Sequence, residues 1–341
     1  MSGRRADFPE RGSIRKRSPA KVVQRLKSTH AIVIGMRFLL LTMLPLAALF
    51  AASPAPPVRG LHLMAPVAGD VPLAARFIKE VLPKEGVNVL VLEFDYHYRF
   101  TSHPEVAESD ALSRDDVKVL ASACKDAGVR LIPEIDLLGH QSWERATGGL
   151  LRAHPEFDET PGKYPLNQGI YCRSYCPLHP QVHDVLFDLI DELADAAGAD
   201  AFHVGMDEVF VLGDDDCPRC KGKDKAELFA QEAIALHDHL ARSKRTMWMW
   251  GDRLLDGEST GFGEWEASIN KTHGALGRIP KDIVICDWHY ERALQCDLTP
   301  PTPSAIGCRE SYKPPGPGLP HLRARISASP IPAALCRPPI S

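Results

Sequence analysis

The chain has 341 residues, of which 44% are hydrophobic and 25% are charged, and its formal net charge at pH 7 is −4. This length accommodates one large domain or two small ones, and the composition is ordinary for a soluble globular protein. The negative balance argues against a nucleic-acid-binding role and a general membrane-surface role, both of which favour basic chains.

Two segments precede the first predicted strand. Residues 1–35 are basic and polar without apolar periodicity, which predicts a disordered leader or a start codon placed too early. Residues 36–55, MRFLLLTMLPLAALFAASPA, have Arg37 before an apolar run that ends in small residues, as in a secretory signal peptide. The run from Phe38 to Ala52 is shorter than the ~20 residues of a membrane span. We therefore expect export to the periplasm or the extracellular space. The alternative is an uncleaved anchor that also includes residues 31–35.

From residue 59 the chain alternates predicted strands and helices. The strand candidates are RGLHLMAP (59–66), NVLVLEFDY (88–96), VRLIPEIDL (129–137), AFHVGMDEV (201–209), RTMWMWGDRL (245–254) and DIVICDWHY (282–290). Helices are predicted at 71–82, 113–127, 180–197 and 226–241, with Ser113 as an N-cap and Gly128 as a stop. This alternation predicts a parallel sheet. Acids and tryptophans at the strand ends favour a TIM barrel, the (β/α)8 fold, over an open dinucleotide-binding sheet, and no glycine-rich phosphate loop follows a strand.

About six βα units are recognisable in residues 59–292, the predicted catalytic barrel, and the last two units of the fold are missing. Residues 293–341 differ from the rest of the chain in composition. The 42 residues from Pro300 hold 11 of the 29 prolines and a single acid, Glu310. This composition predicts a disordered tail. An alternative is loss of the reading frame near residues 293–300, which we favour because a six-stranded barrel leaves exposed edges.

The alternation of side chains along each strand predicts which residues point into the barrel. In HVGMDE, His203 and Asp207 point inward, whereas Glu208 reaches the pocket only if the strand ends there and the backbone turns. The other inward positions are Glu93, Asp95, Glu134, Asp136, Trp248, Trp250, Asp252, Trp288 and Tyr290, and His140 follows the third strand. A rim of acids, a histidine and aromatic rings suits a sugar ligand. Glu93 and Glu134 are expected to be structural.

HVGMDE together with IPEIDLLGH resembles family 20 of the glycoside hydrolases, the β-N-acetylhexosaminidases, over roughly residues 59–290. The resemblance implies a retaining mechanism without an enzymic nucleophile, in which the 2-acetamido oxygen of the substrate attacks the anomeric carbon and forms an oxazoline. It implies that Asp207 orients the acetamido group and that Glu208 is the general acid/base. Like-charge repulsion from Asp207 would favour the protonated form that an acid needs.

The resemblance also implies supporting residues and a ligand. They are Asp136 and His140 near the general acid, His203 as an orienting residue, Trp250 and Trp288 as walls of the acetamido pocket, and Arg59 on the sugar hydroxyls. Asp95 and Tyr290 share the inward faces and are added as candidates. The implied ligand is a carbohydrate bearing N-acetylhexosamine. No cofactor for catalysis, no nucleic acid and no specific protein partner is implied.

Departures from the family pattern indicate a divergent branch. LMAPVAGD stands where members usually have Asp followed by Ser-Arg, and the second strand lacks the usual His-Trp-His. The seventh-strand tyrosine, the eighth-strand tryptophan and the small N-terminal domain are not recognisable. Two other functions therefore stay open: a retaining glycosidase with two enzymic carboxylates, and a non-catalytic sugar-binding protein or inactive remnant.

Nine cysteines suit an exported protein only if many are paired. Cys172 and Cys176 are close in sequence, as are Cys217 and Cys220 in CPRC. Four thiolates suit one closed tetrahedral zinc site, but these pairs could equally form disulfides or stay reduced. No redox-type βαβ context surrounds CPRC, so neither pair is predicted to be catalytic.

Overall fold

The computed structural model describes residues 57–289 and the backbone of residues 327–330. Its strands, in chain order, are β1 (Gly60–Met64), β2 (Val89–Glu93), β3 (Arg130–Leu137), β4 (Ser142–Trp143), β5 (Ala146–Thr147), β6 (Ala201–Gly205), β7 (Thr246–Trp250), β8 (Val284–Asp287) and β9 (Ser327–Pro330). The short β4 and β5 pair with each other as a hairpin in the loop after β3. The other seven strands form the main sheet.

The main sheet runs in the order β1-β2-β3-β6-β7-β8-β9. The first six of these strands are parallel to their neighbours, and β9 pairs with β8 in the antiparallel sense. Six parallel strands in sequential order, most of them joined by crossover helices, form a curled half-barrel of the TIM type. This arrangement confirms the predicted fold class and its six recognisable strands.

The described part of the chain has six α-helices, and the four long ones cover the outer face of the sheet. The six are α1 (Val71–Glu80), α2 (Arg114–Ala127), α3 (Gly149–Ala153), α4 (Val182–Ala197), α5 (Lys225–Arg242) and α6 (Gly257–Thr260). The start of α2 has a capping box in which Ser113 and Asp116 exchange hydrogen bonds, and Gly128 ends the helix in the left-handed conformation. The four long helices, α1, α2, α4 and α5, begin and end within two residues of the predicted bounds. The short α3 and α6 were not predicted.

Alternating strand residues divide the core into two layers. Phe202 and Val204 belong to the large cluster between sheet and helices, with Leu189 of α4 and Leu236 of α5. A second, smaller cluster fills the concave side of the sheet: Val89, Val91, Ile132, Ala201, Trp248, Trp250 and Cys286. The phases predicted for β2, β3, β6, β7 and β8 are therefore correct at the described residues. The inward residues above this apolar layer form the C-terminal rim.

The chain turns at the rim. β1, β2, β6, β7 and β8 end two to four residues earlier than predicted, whereas β3 ends at Leu137 as predicted. Positive φ angles occur just beyond β2 at Asp95, beyond β3 at Leu138 and His140, and beyond β6 at Met206 and Glu208. The backbone thus turns out of the strands at several acidic and histidine residues. These turns lie at the C-terminal rim, where TIM barrels bind their substrates.

Several predictions fall on residues that the structure does not describe. They are the leader at 1–35, the signal segment at 36–55, Tyr290 and the tail from 293 apart from β9. Within the described part of the chain, no helix combines the length and apolar character needed to cross a bilayer.

Candidate active site

Asp207 and Glu208 lie directly beyond the C-terminal end of β6. The strand ends at Gly205, and φ is +63° at Gly205, +68° at Met206 and +48° at Glu208. This turn brings both carboxylates to one imidazole, because His140 Nε2 lies 3.7 Å from Asp207 Oδ2 and 3.2 Å from Glu208 Oε2. In a continuing strand Glu208 would point away from the pocket. The observed turn brings it to the pocket, as the sequence analysis required.

Gly205 is required for the turn on two grounds. Its φ is in the left-handed region, which residues with a side chain rarely adopt. A Cβ at this position would also lie 2.0 Å from Oδ1 of Asp136 on the neighbouring strand. The glycine of HVGMDE therefore lets β3 and β6 approach closely at the point where the acidic pair begins.

His140 lies at the centre of the acidic cluster. Its Nε2 also lies 3.9 Å from Oδ2 of Asp136, so it faces three carboxylates. Burial lowers the pKa of His140, but the charge of Asp207 and the hydrogen bond and charge of Glu208 outweigh burial and raise that pKa above its ordinary value. A protonated His140 would offset part of the negative charge at the rim.

Asp136 and Asp95 connect β2, β3 and the β6 turn. Oδ1 of Asp136 accepts a hydrogen bond from the Met206 N–H at 3.2 Å, and the Asp136 N–H donates to Oδ1 of Asp95 at 2.9 Å. Burial and the charges of Asp207 and Asp95 raise the pKa of Asp136 well above its usual range. Burial also raises the pKa of Asp95 to about 6, although the bond from Asp136 opposes it. Asp136 and Asp95 therefore position the turn after β6, and both are surrounded by other carboxylates.

Glu134 organises a buried layer beneath this cluster, which we call the Glu134 layer: His62, Glu134, His203 and Trp250. His62 Nε2 lies 2.5 Å from Glu134 Oε2, and His203 Nδ1 lies 2.7 Å from Oε1. Trp250 Nε1–H donates to the same Oε1 at 3.1 Å. Burial raises the pKa of Glu134, but the two imidazoles outweigh it and hold that pKa well below its usual range. These contacts agree with the structural role expected of Glu134, and Glu93 joins at 3.3 Å from His62.

Asp252 supports Glu208 and was not predicted to have a role. It follows β7 and is buried, and its Oδ2 accepts hydrogen bonds from the Glu208 N–H at 3.0 Å and from Arg253 Nε at 2.6 Å. Burial raises the pKa of Asp252 to about 6, against the opposing charge of Arg253. Its inward phase with Trp250 was the available sequence signal, but phase alone does not reveal a bond to a backbone N–H.

A family model for the glycosyl hydrolase family 20 catalytic domain matches residues 92–297, more than half of the chain. The chain belongs to glycosyl hydrolase family 20. The matched residues include both motifs at the rim, with the acidic pair after β6 and His140 after β3.

A curated protein resembles the chain at low identity. This protein, a β-hexosaminidase from Emericella nidulans, is 22% identical over 214 residues, which are 55% of this chain and 31% of that protein. The chain thus spans about a third of the length of that relative.

Two solved structures are similar to the chain. One is a family 20 exo-β-N-acetylglucosaminidase from Vibrio harveyi, solved with N-acetylglucosamine. It has a TM-score of 0.50 at 17% identity, and the match covers 72% of this chain and 40% of the Vibrio harveyi chain. A chitobiase from Flavobacterium johnsoniae has a TM-score of 0.48 at 22% identity and covers 57% of this chain and 31% of its own. At 17% identity, the comparison with the Vibrio harveyi enzyme shows that the fold is shared.

The structure places one predicted site residue of this family 20 chain away from the rim. Arg59 is exposed and precedes β1, where its N–H donates to Asn88 Oδ1 at 2.7 Å and its carbonyl accepts from the N–H of Val89. A five-residue strand is about 17 Å long, so Arg59 lies at the opposite end of β1 from the acidic pair. The prediction that Arg59 binds sugar hydroxyls is wrong, because Arg59 lies before the first residue of β1, whereas the acidic pair lies at the end where the strands finish.

The predicted tryptophans lie on the concave side of the barrel. Trp250 is buried, with its ring edge-on to His62 at 5.1 Å and to His203 at 4.8 Å between centroids. Trp288 follows β8, is half-buried and packs against the inner apolar cluster. Both positions are compatible with walls of a sugar pocket. Tyr290 lies outside the described residues.

An aromatic group that the sequence analysis missed adjoins His140. This group, the mouth aromatics, comprises Trp143, Tyr171, Phe210 and Trp265. Their neighbouring ring centroids are 4.9 to 5.6 Å apart, and Trp143 stacks on His140 at 6.5 Å. Trp143 and Trp265 are 51% and 48% exposed. They come from three loops, so no local sequence pattern joined them.

Cys172 also adjoins the acidic pair and not the other cysteines. Its Sγ lies 3.6 Å from the Glu208 carbonyl oxygen, and burial raises the pKa of the thiol to about 12. Of the arrangements that the sequence left open, a site shared by all four cysteines does not occur in the structure. Cys176 lies within 3.5 Å of Cys217 and Cys220, whereas Cys172 lies at the acidic pair.

Proposed function

We propose that this chain removes terminal β-linked N-acetylhexosamine from carbohydrates by a substrate-assisted retaining mechanism with an oxazoline intermediate. The observation that best supports this function is a buried oxygen of the Asp207 carboxylate that has no hydrogen-bond partner among the described residues. The residue is 5% exposed, and the oxygen is Oδ1. A buried carboxylate oxygen of this kind is an acceptor for a ligand N–H.

Asp207 would hold the substrate's 2-acetamido group. Its Oδ1 would accept the acetamido N–H and so direct the acetamido oxygen towards the anomeric carbon. As that oxygen forms its bond, positive charge develops on the amide nitrogen and carbon. A carboxylate in a buried site stabilises such charge strongly, because little water screens the interaction. His140 Nε2 lies 3.7 Å from the other oxygen, Oδ2.

Glu208 would act first as general acid and then as general base. It would protonate the glycosidic oxygen as that bond breaks, and later remove a proton from the water that opens the oxazoline. Asp252 fixes its backbone, and His140 lies 3.2 Å from its Oε2. No cofactor is needed at the reacting atoms, because the substrate supplies the nucleophile and Glu208 moves the proton.

The surrounding rings would bind the apolar faces of the substrate. Trp250 and Trp288 would enclose the acetamido methyl group inside the barrel. The mouth aromatics lie beyond His140 and would contact the sugar on the leaving-group side. Exposed tryptophan faces next to carboxylates suit carbohydrates, whose C–H surfaces pack on rings while their hydroxyls bind acids.

A test of the mechanism uses an N-acetylglucosamine-derived thiazoline, which mimics the oxazoline. We expect the chain to hydrolyse nitrophenyl N-acetyl-β-glucosaminide or -galactosaminide, and the thiazoline to inhibit at least about 10²-fold more tightly than substrate binds, as intermediate analogues do. The control is nitrophenyl β-glucoside, which lacks the acetamido group and should not be hydrolysed.

The same assay separates the alternatives. Hydrolysis that the thiazoline leaves unaffected would assign the chain to the two-carboxylate glycosidases, with Asp136 or another rim acid as nucleophile. Binding of N-acetylglucosamine without turnover of any N-acetylhexosaminide would make it a sugar-binding protein. Either result would overturn the substrate-assisted proposal.

We also propose that the protein is exported, on the strength of the apolar run that follows Arg37. A signal peptidase would cleave near the small residues at 51–55, and the mature protein would be found in the periplasm or the medium. N-terminal sequencing of protein recovered from these fractions tests this. An intact N-terminus in the membrane fraction would instead show an uncleaved anchor.

A further inference from the structure

Three thiols and one carboxylate meet in a buried cluster outside the acidic site. Glu159, Cys176, Cys217 and Cys220 are each 0% exposed. Their ligand atoms, three Sγ and one carboxylate oxygen, all lie within 4.8 Å of one another. The mechanism proposed above uses none of them, so the cluster needs a separate explanation.

The distances between the thiols fit a shared metal ion better than a disulfide. Cys176 Sγ lies 3.4 Å from Cys220 Sγ and 3.5 Å from Cys217 Sγ. A disulfide would bring two sulfurs to about 2.05 Å and leave the third thiol over. In a tetrahedral zinc site with Zn–S distances of about 2.3 Å, neighbouring sulfurs are about 3.8 Å apart. A small expansion of the cluster would therefore accommodate the ion.

Glu159 supplies the second observation that points to a cation. Its Oε1 accepts a hydrogen bond from the Asp214 N–H at 3.1 Å, whereas its Oε2 is buried without a hydrogen-bond partner among the described residues, and the carboxylate lies beside the three thiols. Within the described part of the chain, no lysine or arginine pairs with it. Burying an uncompensated carboxylate is costly, and a bound metal ion removes that cost.

The local backbone is arranged for thiolate ligands. In CPRC the Cys220 N–H donates to Cys217 Sγ at 3.3 Å, a bond that stabilises a negative sulfur. A two-residue gap between cysteines is also the common spacing in structural zinc sites. Three thiolates and one carboxylate form a set that zinc accepts, since sulfur ligands select zinc over magnesium or calcium.

We propose that Glu159, Cys176, Cys217 and Cys220 bind one structural Zn²⁺ in a closed tetrahedral site. Glu159 and Cys176 belong to the loop after β3 and the two other ligands to the loop after β6. The first loop also carries Tyr171 and Cys172, and the second begins with the acidic pair. The ion would join the two loops that build the substrate site, without contacting substrate itself.

The test is metal analysis of the full chain purified without chelators. We expect about one zinc per chain, and cobalt replacement should give the thiolate-to-cobalt charge-transfer absorption of a sulfur-rich tetrahedral site. Cys217→Ser and Cys220→Ser should lose the zinc and this absorption. The matched control is Cys286→Ser, because Cys286 is an equally buried thiol in the inner apolar cluster and should keep both.

Two further measurements cover the case in which a cysteine variant fails to fold. Glu159→Cys should retain zinc as a four-thiolate site, while Glu159→Ala should weaken its retention. In the unaltered chain, a chelator should lower Tm and expose Cys176, Cys217 and Cys220 to alkylation, and added zinc should reverse both changes. The proposal fails if the purified chain lacks zinc and mass spectrometry finds a disulfide among these three cysteines. It also fails if zinc content is unchanged in Cys217→Ser and Cys220→Ser.

Discussion

Replacing Glu208 with glutamine is expected to lower kcat for an N-acetylhexosamine disaccharide by about 10²–10⁴-fold, the usual contribution of a general acid. Glutamine keeps the shape of the side chain but cannot protonate the glycosidic oxygen. For a nitrophenyl substrate the loss should be smaller, because that leaving group needs little protonation. Steady-state kinetics on both substrates checks the difference.

A chemical rescue separates this role from damage to the fold. Azide can open the oxazoline without a general base, so it should restore turnover of the nitrophenyl substrate by Glu208→Gln and give a β-glycosyl azide. Glu80→Gln, at an exposed position of α1 far from the rim, is the control and should keep normal rates. Normal rates for Glu208→Gln on both substrates would show that another residue is the acid.

Replacing Asp207 with asparagine is expected to cost about 10²–10³-fold in kcat, similar to loss of one preorganised electrostatic contact to a transition state. Asparagine can still offer an oxygen to the acetamido N–H, but it has no charge to offset the developing positive charge. The thiazoline should bind this variant more weakly by a similar factor, because it mimics the charged intermediate. Inhibition constants measured beside kcat test that parallel.

Asp184 provides the comparison for this substitution, since it is an exposed acid on α4 and Asp184→Asn should leave rates and inhibition unchanged. Circular dichroism and Tm show whether the Asp207 variant is folded. A folded Asp207→Asn enzyme with unchanged kcat and unchanged thiazoline affinity would exclude Asp207 as the acetamide-orienting residue.

Much of the fold could be predicted because its determinants are local. Strand periodicity, helix caps such as Ser113 and stops such as Gly128 act over a few residues, and the structure follows them closely. The placement of Asp207 and His140 together also followed from sequence, because carboxyl ends of parallel strands meet at one rim.

The rest depended on contacts between distant loops. Asp252 acts through the backbone N–H of Glu208, and the mouth aromatics converge from three loops, so no spacing in the sequence indicates either. The grouping of the cysteines stayed open in the sequence for the same reason. Glu159 adjoins three thiols through folding of the loop after β3, while Cys172 lies at the acidic pair. Arg59 was misplaced because a motif match does not say at which end of its strand a residue lies.

The Glu134 layer also bears on how the chain reaches its folded state. His62 and Glu134 are 72 residues apart, and Trp250 and Glu134 are 116 residues apart. Contacts of such separation form against a loop-closure entropy that rises with the logarithm of loop length, and chains rich in them fold slowly. Until β1, β3, β6 and β7 have assembled, Glu134 lacks the imidazoles that make its burial tolerable. We therefore expect the floor of the acidic site to be among the last parts to form. The hydrolytic activity proposed above would then report completed folding more stringently than helix content does.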